Sequence, residues 1–195
     1  MVWETIGITT EAGETVRAQA PVIISASRAT DIPAFYADWF FDRLEKGYSV
    51  WTNPFNGVKS YISYARTRLI VFWSKNPRPL LPHLGKLREK GIRCYLHYTL
   101  NDYEAEALER GVPPLDERIE TFLRFSELLG KELVIWRFDP LVLTERTGVE
   151  ELLRKAERIG DRAPRAYRET GFQLRGHPRL PQCGEPAAAE CPPLP

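Results

Sequence analysis

The sequence predicts an α/β fold: a mainly parallel sheet of about five strands flanked by helices. Three observations predict it. From Val22 onward, apolar β-type runs alternate with amphipathic stretches of helical period. Glycines at Gly47, Gly91, Gly130 and Gly160 punctuate the helical stretches. Strands joined through helices run parallel, with right-handed crossovers. The 195 residues, 43% hydrophobic and 27% charged, suffice for one domain with a real core. About five strands suit an open doubly wound sheet, whereas a closed (β/α)8 barrel needs eight and about 250 residues.

Residues 1–20 form a lead-in segment, either a short hairpin or a loose arm. Residues 21–160 carry the domain. Val22–Ala26 is the first strand. Pro33–Lys46 is a helix, with Pro at its first turn and Thr30 or Asp31 as cap. Its apolar stripe is Tyr36, Ala37, Phe40, Phe41 and Leu44. Tyr48–Thr52 is the second strand, stopped by Asn53-Pro54-Phe55-Asn56-Gly57. Arg68–Trp73 is the third; its unbroken apolar run suits a strand covered on both faces. Pro79–Lys90 is a helix with Leu80, Leu84 and Leu87 in phase, and Pro82 is tolerated in its first turn. Arg93–Thr99 is the fourth strand, Leu115–Leu129 a helix, Leu133–Arg137 the fifth strand and Val149–Ile159 a last helix.

After Gly160 neither period survives. Residues 161–195 hold seven of the sixteen prolines, a composition that favours disorder. The tail is either a flexible partner-binding segment or the translation of a frameshift near Gly160. The second is favoured, because the pattern stops after a helix that should lead into another strand.

Net charge is +1, which gives no reason to expect a nucleic-acid partner despite five Trp and eight Tyr. No run reaches the roughly 20 apolar residues of a membrane span, and Met1-Val2-Trp3-Glu4 does not open a signal peptide. Cys94, Cys183 and Cys191 are too scattered for a disulfide framework, so a cytoplasmic location is expected. Oligomeric state is not legible.

Ligands of parallel α/β folds sit beyond the carboxyl ends of strands. Here those ends are polar. Ser25, Ser27, Arg28 and Asp31 follow the first strand; they suit capture of a small anionic ligand, or an Asp cap beside a structural Arg. Asn53 and Asn56 fit ordinary turn chemistry. Lys75 and Asn76 follow the third strand, as anion ligands or a base, or as the start of a solvated loop. His97 shares a strand face with Tyr95 and Thr99, as an acid–base group or a core histidine. Arg137 and Asp139 share strand parity, in a site or as a buried ion pair. His83 and His177 do not complete ligand spacing with His97, so no zinc site is expected. The coincidence of these groups at strand ends is the signal.

Five blocks in order resemble a family of uncharacterised bacterial proteins, domain of unknown function 1848. They are Ile23-Ile24-Ser25-Ala26-Ser27-Arg28-Ala29-Thr30-Asp31-Ile32-Pro33-Ala34-Phe35-Tyr36, Asn53-Pro54-Phe55-Asn56, Val71-Phe72-Trp73-Ser74-Lys75-Asn76-Pro77, Asp116-Glu117-Arg118-Ile119-Glu120-Thr121-Phe122 and Val134-Ile135-Trp136-Arg137-Phe138-Asp139-Pro140. The resemblance implies a partial (β/α) barrel. Longer relatives resemble barrels that end in a cysteine-rich segment similar to the iron–sulfur pattern of radical S-adenosylmethionine enzymes. This chain lacks three closely spaced cysteines, so no cofactor is expected in it. The expectation is a truncated enzyme-type barrel, inactive alone; the alternative is a non-catalytic small-molecule or anion-binding module using Arg28, Lys75 and Arg137.

Overall fold

The computed structural model describes residues 4–27, 30–145 and 147–163, and the backbone of 170–175. The lead-in is a hairpin: β1 (Thr5–Thr9) pairs antiparallel with β2 (Thr15–Gln19), turned at Gly13, whose φ of +80° is open to glycine. β3 (Ile23–Ala26) follows. The helix expected over 33–46 is two pieces, α1 (Ile32–Phe35) and α2 (Ala37–Lys46), parted at Tyr36, whose φ of −134° is not helical. The break leaves Ala37, Phe40, Phe41 and Leu44 in the core and Tyr36 outside it, a correction to the expected stripe.

β4 (Tyr48–Thr52) does not join the parallel sheet. It forms a hairpin with β5 (Lys59–Ser63), and β5 adds to β2, giving the order β1-β2-β5-β4. The expected sheet of five strands from 22 to 137 is therefore corrected: only four of those strands share a sheet. The turn at 53–58 closes β4 onto β5, with Asn53 Oδ1 accepting from Phe55 N–H (2.9 Å) and Asn56 Oδ1 from Val58 N–H (3.1 Å).

β6 (Leu69–Ser74), β7 (Arg93–Thr99) and β8 (Val134–Val142) continue the parallel sheet in the order β3-β6-β7-β8. Between β6 and β7, Pro79 and Pro82 tighten the expected helix into a 3₁₀ stretch, Arg78–His83, before α3 (Leu84–Glu89). α4 (Leu115–Leu129) keeps its expected bounds, and α5 (Val149–Arg162) runs past Gly160. A further strand, β9 (Thr170–Arg175), pairs parallel with β8. Strand structure thus resumes inside the segment expected to be a disordered tail. Residues 164–169 and 176–195 of that tail lie outside the described residues.

The core lies on one face of this sheet. Ile70, Phe72, Leu96, Tyr98, Val134 and Trp136 meet Phe40, Phe41, Leu87, Ile119, Phe122, Leu152 and Ile159 from α2 to α5. Successive residues alternate faces. The opposite face carries Ile23, 53% exposed, Trp73, 40% exposed, and the half-buried Tyr95, His97 and Arg137. Among the described residues β6 is well covered on one side only, which corrects the expectation from its apolar run. Among the described residues no helix is long and apolar enough to cross a membrane.

Candidate functional site

The carboxyl ends of β3, β6, β7 and β8 lie side by side because the strands are parallel and in register, with Ala26 beside Phe72, Trp73 beside His97 and Thr99 beside Arg137. Four of the expected groups are engaged there in two separate contacts. Asp31 caps α1 by accepting from Ala34 N–H (3.0 Å), and its other oxygen accepts from Ser74 Oγ (2.9 Å) and Lys75 N–H (3.2 Å). The carboxylate thus fastens the β3 loop to the end of β6. Arg137 and Asp139 form a two-pronged pair, Nε to Oδ1 at 3.0 Å and Nη2 to Oδ2 at 2.9 Å. Shared strand parity makes this geometry available.

Trp73 organises the open face. Its ring stacks on His97, with centroids 4.2 Å apart, and the Arg137 guanidinium carbon lies 4.5 Å from its centroid. Burial lowers the His97 pKa below the ordinary 6.5, the nearby Arg137 charge adds to the shift, and Asp139 opposes it. His97 is therefore a neutral imidazole at neutral pH. Its Nδ1 is buried without a hydrogen-bond partner among the described residues.

Lys75 Nζ pairs with Glu109, from the loop between β7 and α4. Burial pushes Lys75 down to about 8; Asp139 and Asp31 pull it up, and Arg118 pushes it down. The Glu109 carboxylate favours the charged amine, so a neutral Lys75 requires that contact to open. Asn101, on the same loop, donates from Nδ2 to the Asp139 carbonyl (3.0 Å), with Glu109 Oε1 at 3.4 Å. Asn76 donates its backbone N–H to Ser74 Oγ (2.9 Å), which shapes the turn after β6.

Ser27 stands at φ +104°, a left-handed backbone unusual for a residue with a Cβ, and its buried Oγ has no hydrogen-bond partner among the described residues. Arg28 lies outside the described residues. Both described cations of the expected anion cradle, Lys75 and Arg137, already hold carboxylates.

Sequence reasoning missed Trp73, Asn101 and Glu109. Trp73 was hidden as the end of an apolar run. Asn101 follows β7 directly, and a polar residue just past a strand was the available signal. Glu109 lies in an irregular loop and carries no periodic signal. A buried latch also went unseen: Lys155 Nζ donates to both Glu106 oxygens (2.6 and 2.8 Å) and to the Asp102 carbonyl (2.8 Å), while Thr147 Oγ1 donates to Glu106 (2.9 Å).

Cys94 faces the helix layer, and burial pushes its thiol up to about 12. Cys183 and Cys191 lie outside the described residues. The described residues therefore do not supply a thiolate set for an iron–sulfur cluster. No group of three or more His, Cys, Asp and Glu side chains among them is disposed to hold a metal ion.

Fold and site together define an α/β protein with a one-sided parallel sheet and a polar cluster at its carboxyl edge. Comparison with known families matches residues 23–173 to a domain of unknown function, DUF1848, and the chain belongs to that family. Searches among curated proteins and among solved structures return no match.

Proposed function

We propose that the carboxyl edge of the parallel sheet binds a small polar molecule, on an enzyme-type scaffold that is part of a (β/α) barrel. One observation carries the proposal. Among the described residues four buried side-chain atoms find no hydrogen-bond partner; Ser27 Oγ, His97 Nδ1 and Asn101 Oδ1 lie on or just beyond the ends of β3 and β7, and the fourth, Arg118 Nη1, is on α4. Each buried unsatisfied group costs about 1–3 kcal/mol. A ligand that supplied the missing partners would repay that cost. The left-handed Ser27 adds strain at the same edge.

Two groups suit proton transfer. His97 is held neutral, and Lys75 is drawn toward neutrality by burial. The barrel reading is supported by the one-sided helix layer: doubly wound sheets carry helices on both faces, barrels only outside. The open face with Trp73 and His97 would then look inward. The iron–sulfur chemistry that the resemblance implies for longer relatives forms no part of this proposal, since the described residues do not fit it.

The test is a panel of small polar metabolites, screened against the ¹⁵N resonances of the His97 ring, assigned with His97→Gln. Molecules that bind should shift Nδ1 of His97. Binders that map elsewhere and leave this resonance unmoved would sink the proposal.

A further inference from the structure

The loop between β7 and α4 delivers one carboxylate to the candidate site from outside the strands. Its first half is fixed: the Tyr103 hydroxyl donates to the Pro140 carbonyl (2.6 Å), and Glu106 is clasped by Lys155. Its end is fixed too, because Arg118 Nε–H donates to the Pro113 carbonyl (2.8 Å). Between these anchors Ala107, Leu108, Arg110 and Gly111 are exposed, whereas Val112 is half-buried and the side chain of Glu109 turns in, 16% exposed. Ala107 holds φ +52°, a left-handed conformation that its Cβ disfavours. The inturned carboxylate meets Lys75 Nζ and lies 3.4 Å from Asn101 Nδ2.

We infer that Glu109 is an internal stand-in for an oxyanion group of the ligand, carboxylate or phosphate, which enters by displacing it from Lys75 and Asn101. The inference rests on the strand ends being a binding site. An ammonium and an amide N–H converging on one oxygen are the donors an incoming oxyanion would use. Displacement is local, since both anchors of the loop survive it and neither β7 nor α4 moves. A plain neutralising partner for a half-buried lysine would need no such strained delivery.

The experiment uses the full chain, wild type, Glu109→Gln and the double variant Lys75→Met/Glu109→Gln. Each is titrated with inorganic phosphate and, separately, with acetate at constant ionic strength. Two signals are read: the His97 ring resonances, and amide hydrogen exchange over residues 107–112. In the wild type, the bound anion should speed exchange over 107–112. Glu109→Gln should bind about tenfold tighter, as when an internal competitor that occupies most molecules is removed. The double variant should lose binding. The stronger of the two anions identifies the group. Equal binding by wild type and Glu109→Gln, with His97 shifted in both, would overturn displacement and leave the site standing. Anions that never reach His97 in any variant would overturn both. If Glu109→Gln does not fold, exchange in the wild type decides alone: unchanged exchange on binding refutes the inference.

Discussion

Asp31 is at once a helix cap and a latch between two strand ends, and its loss should be felt in both roles. Asp31→Ala removes the partner of Ala34 N–H and leaves Ser74 Oγ and Lys75 N–H without their acceptor. A lost cap costs about 1 kcal/mol, and a hydrogen bond to a charged group about 1.5–3 kcal/mol. Urea unfolding should show a loss of about 2–4 kcal/mol; a loss under about 0.5 kcal/mol would mean that the latch is idle. His97 makes a prediction in pH. Its folded pKa lies below 6.5, chiefly through burial. The unfolded chain therefore binds more protons between the two values, and stability rises with pH across that window. The stabilisation is complete above 6.5 and is lost as pH falls through the folded value. His97→Phe keeps an aromatic ring beside Trp73 and removes the titration. The difference in unfolding free energy between wild type and variant should then decline below pH 6.5, and a difference flat from pH 5 to 8 would contradict the assignment.

At the scale of elements, the β7–α4 loop is held by α5 more than by its own backbone. Lys155 is 4% exposed, and Glu106, Thr147 and the Asp102 carbonyl converge there. Lys155→Met would strand the Glu106 carboxylate in a nearly closed site, at a cost of about 3–5 kcal/mol. Adding Glu106→Gln should recover part of that loss, because it removes the uncompensated charge. Thermal unfolding of the single and double variants measures both terms, and additive losses would show that the two residues do not act as a pair. This latch marks the limit of what the sequence discloses. α4 and β7 are legible to their ends because a period of 3.6 or 2 runs through them and Gly130 or a polar loop stops it. The pairing of Arg137 with Asp139 is legible from parity. The assignment of β4 to the second sheet is not, because its partner β5 (Lys-Ser-Tyr-Ile-Ser) lacks a strong apolar alternation. Lys155 and Glu109 read as surface charges, since their partners lie 49 and 34 residues away. Ser27 is legible as a polar group past the first strand, but that its Oγ is buried is known only from the structure.

At the scale of the whole molecule, the parallel sheet has one packed face, one open face and two edges, and stability depends on how those edges are covered. β3 is a short edge of four residues, which limits its pairing with other chains. β8 is the opposite case: nine residues, Val-Ile-Trp-Arg-Phe-Asp-Pro-Leu-Val, mostly apolar. β9 covers its outer edge, with Trp136 beside Thr170, Phe138 beside Phe172 and Leu141 beside Leu174. An amide in that ladder is shielded from solvent, so residues 170–175 should include slowly exchanging amides, unlike a segment without structure. Removing the cover leaves unpaired N–H and C=O groups along a long apolar strand, a template for a second chain. A chain ended after Ala163 should therefore unfold at lower urea than the full chain and should scatter light increasingly with concentration. The candidate site should suffer with it, because Arg137 and Asp139 sit on β8 just where β9 pairs with it. If the shortened chain keeps its urea midpoint, stays monodisperse and leaves the His97 ring resonances in place, β9 contributes nothing to the sheet, and the strand pairing beyond residue 163 is wrong.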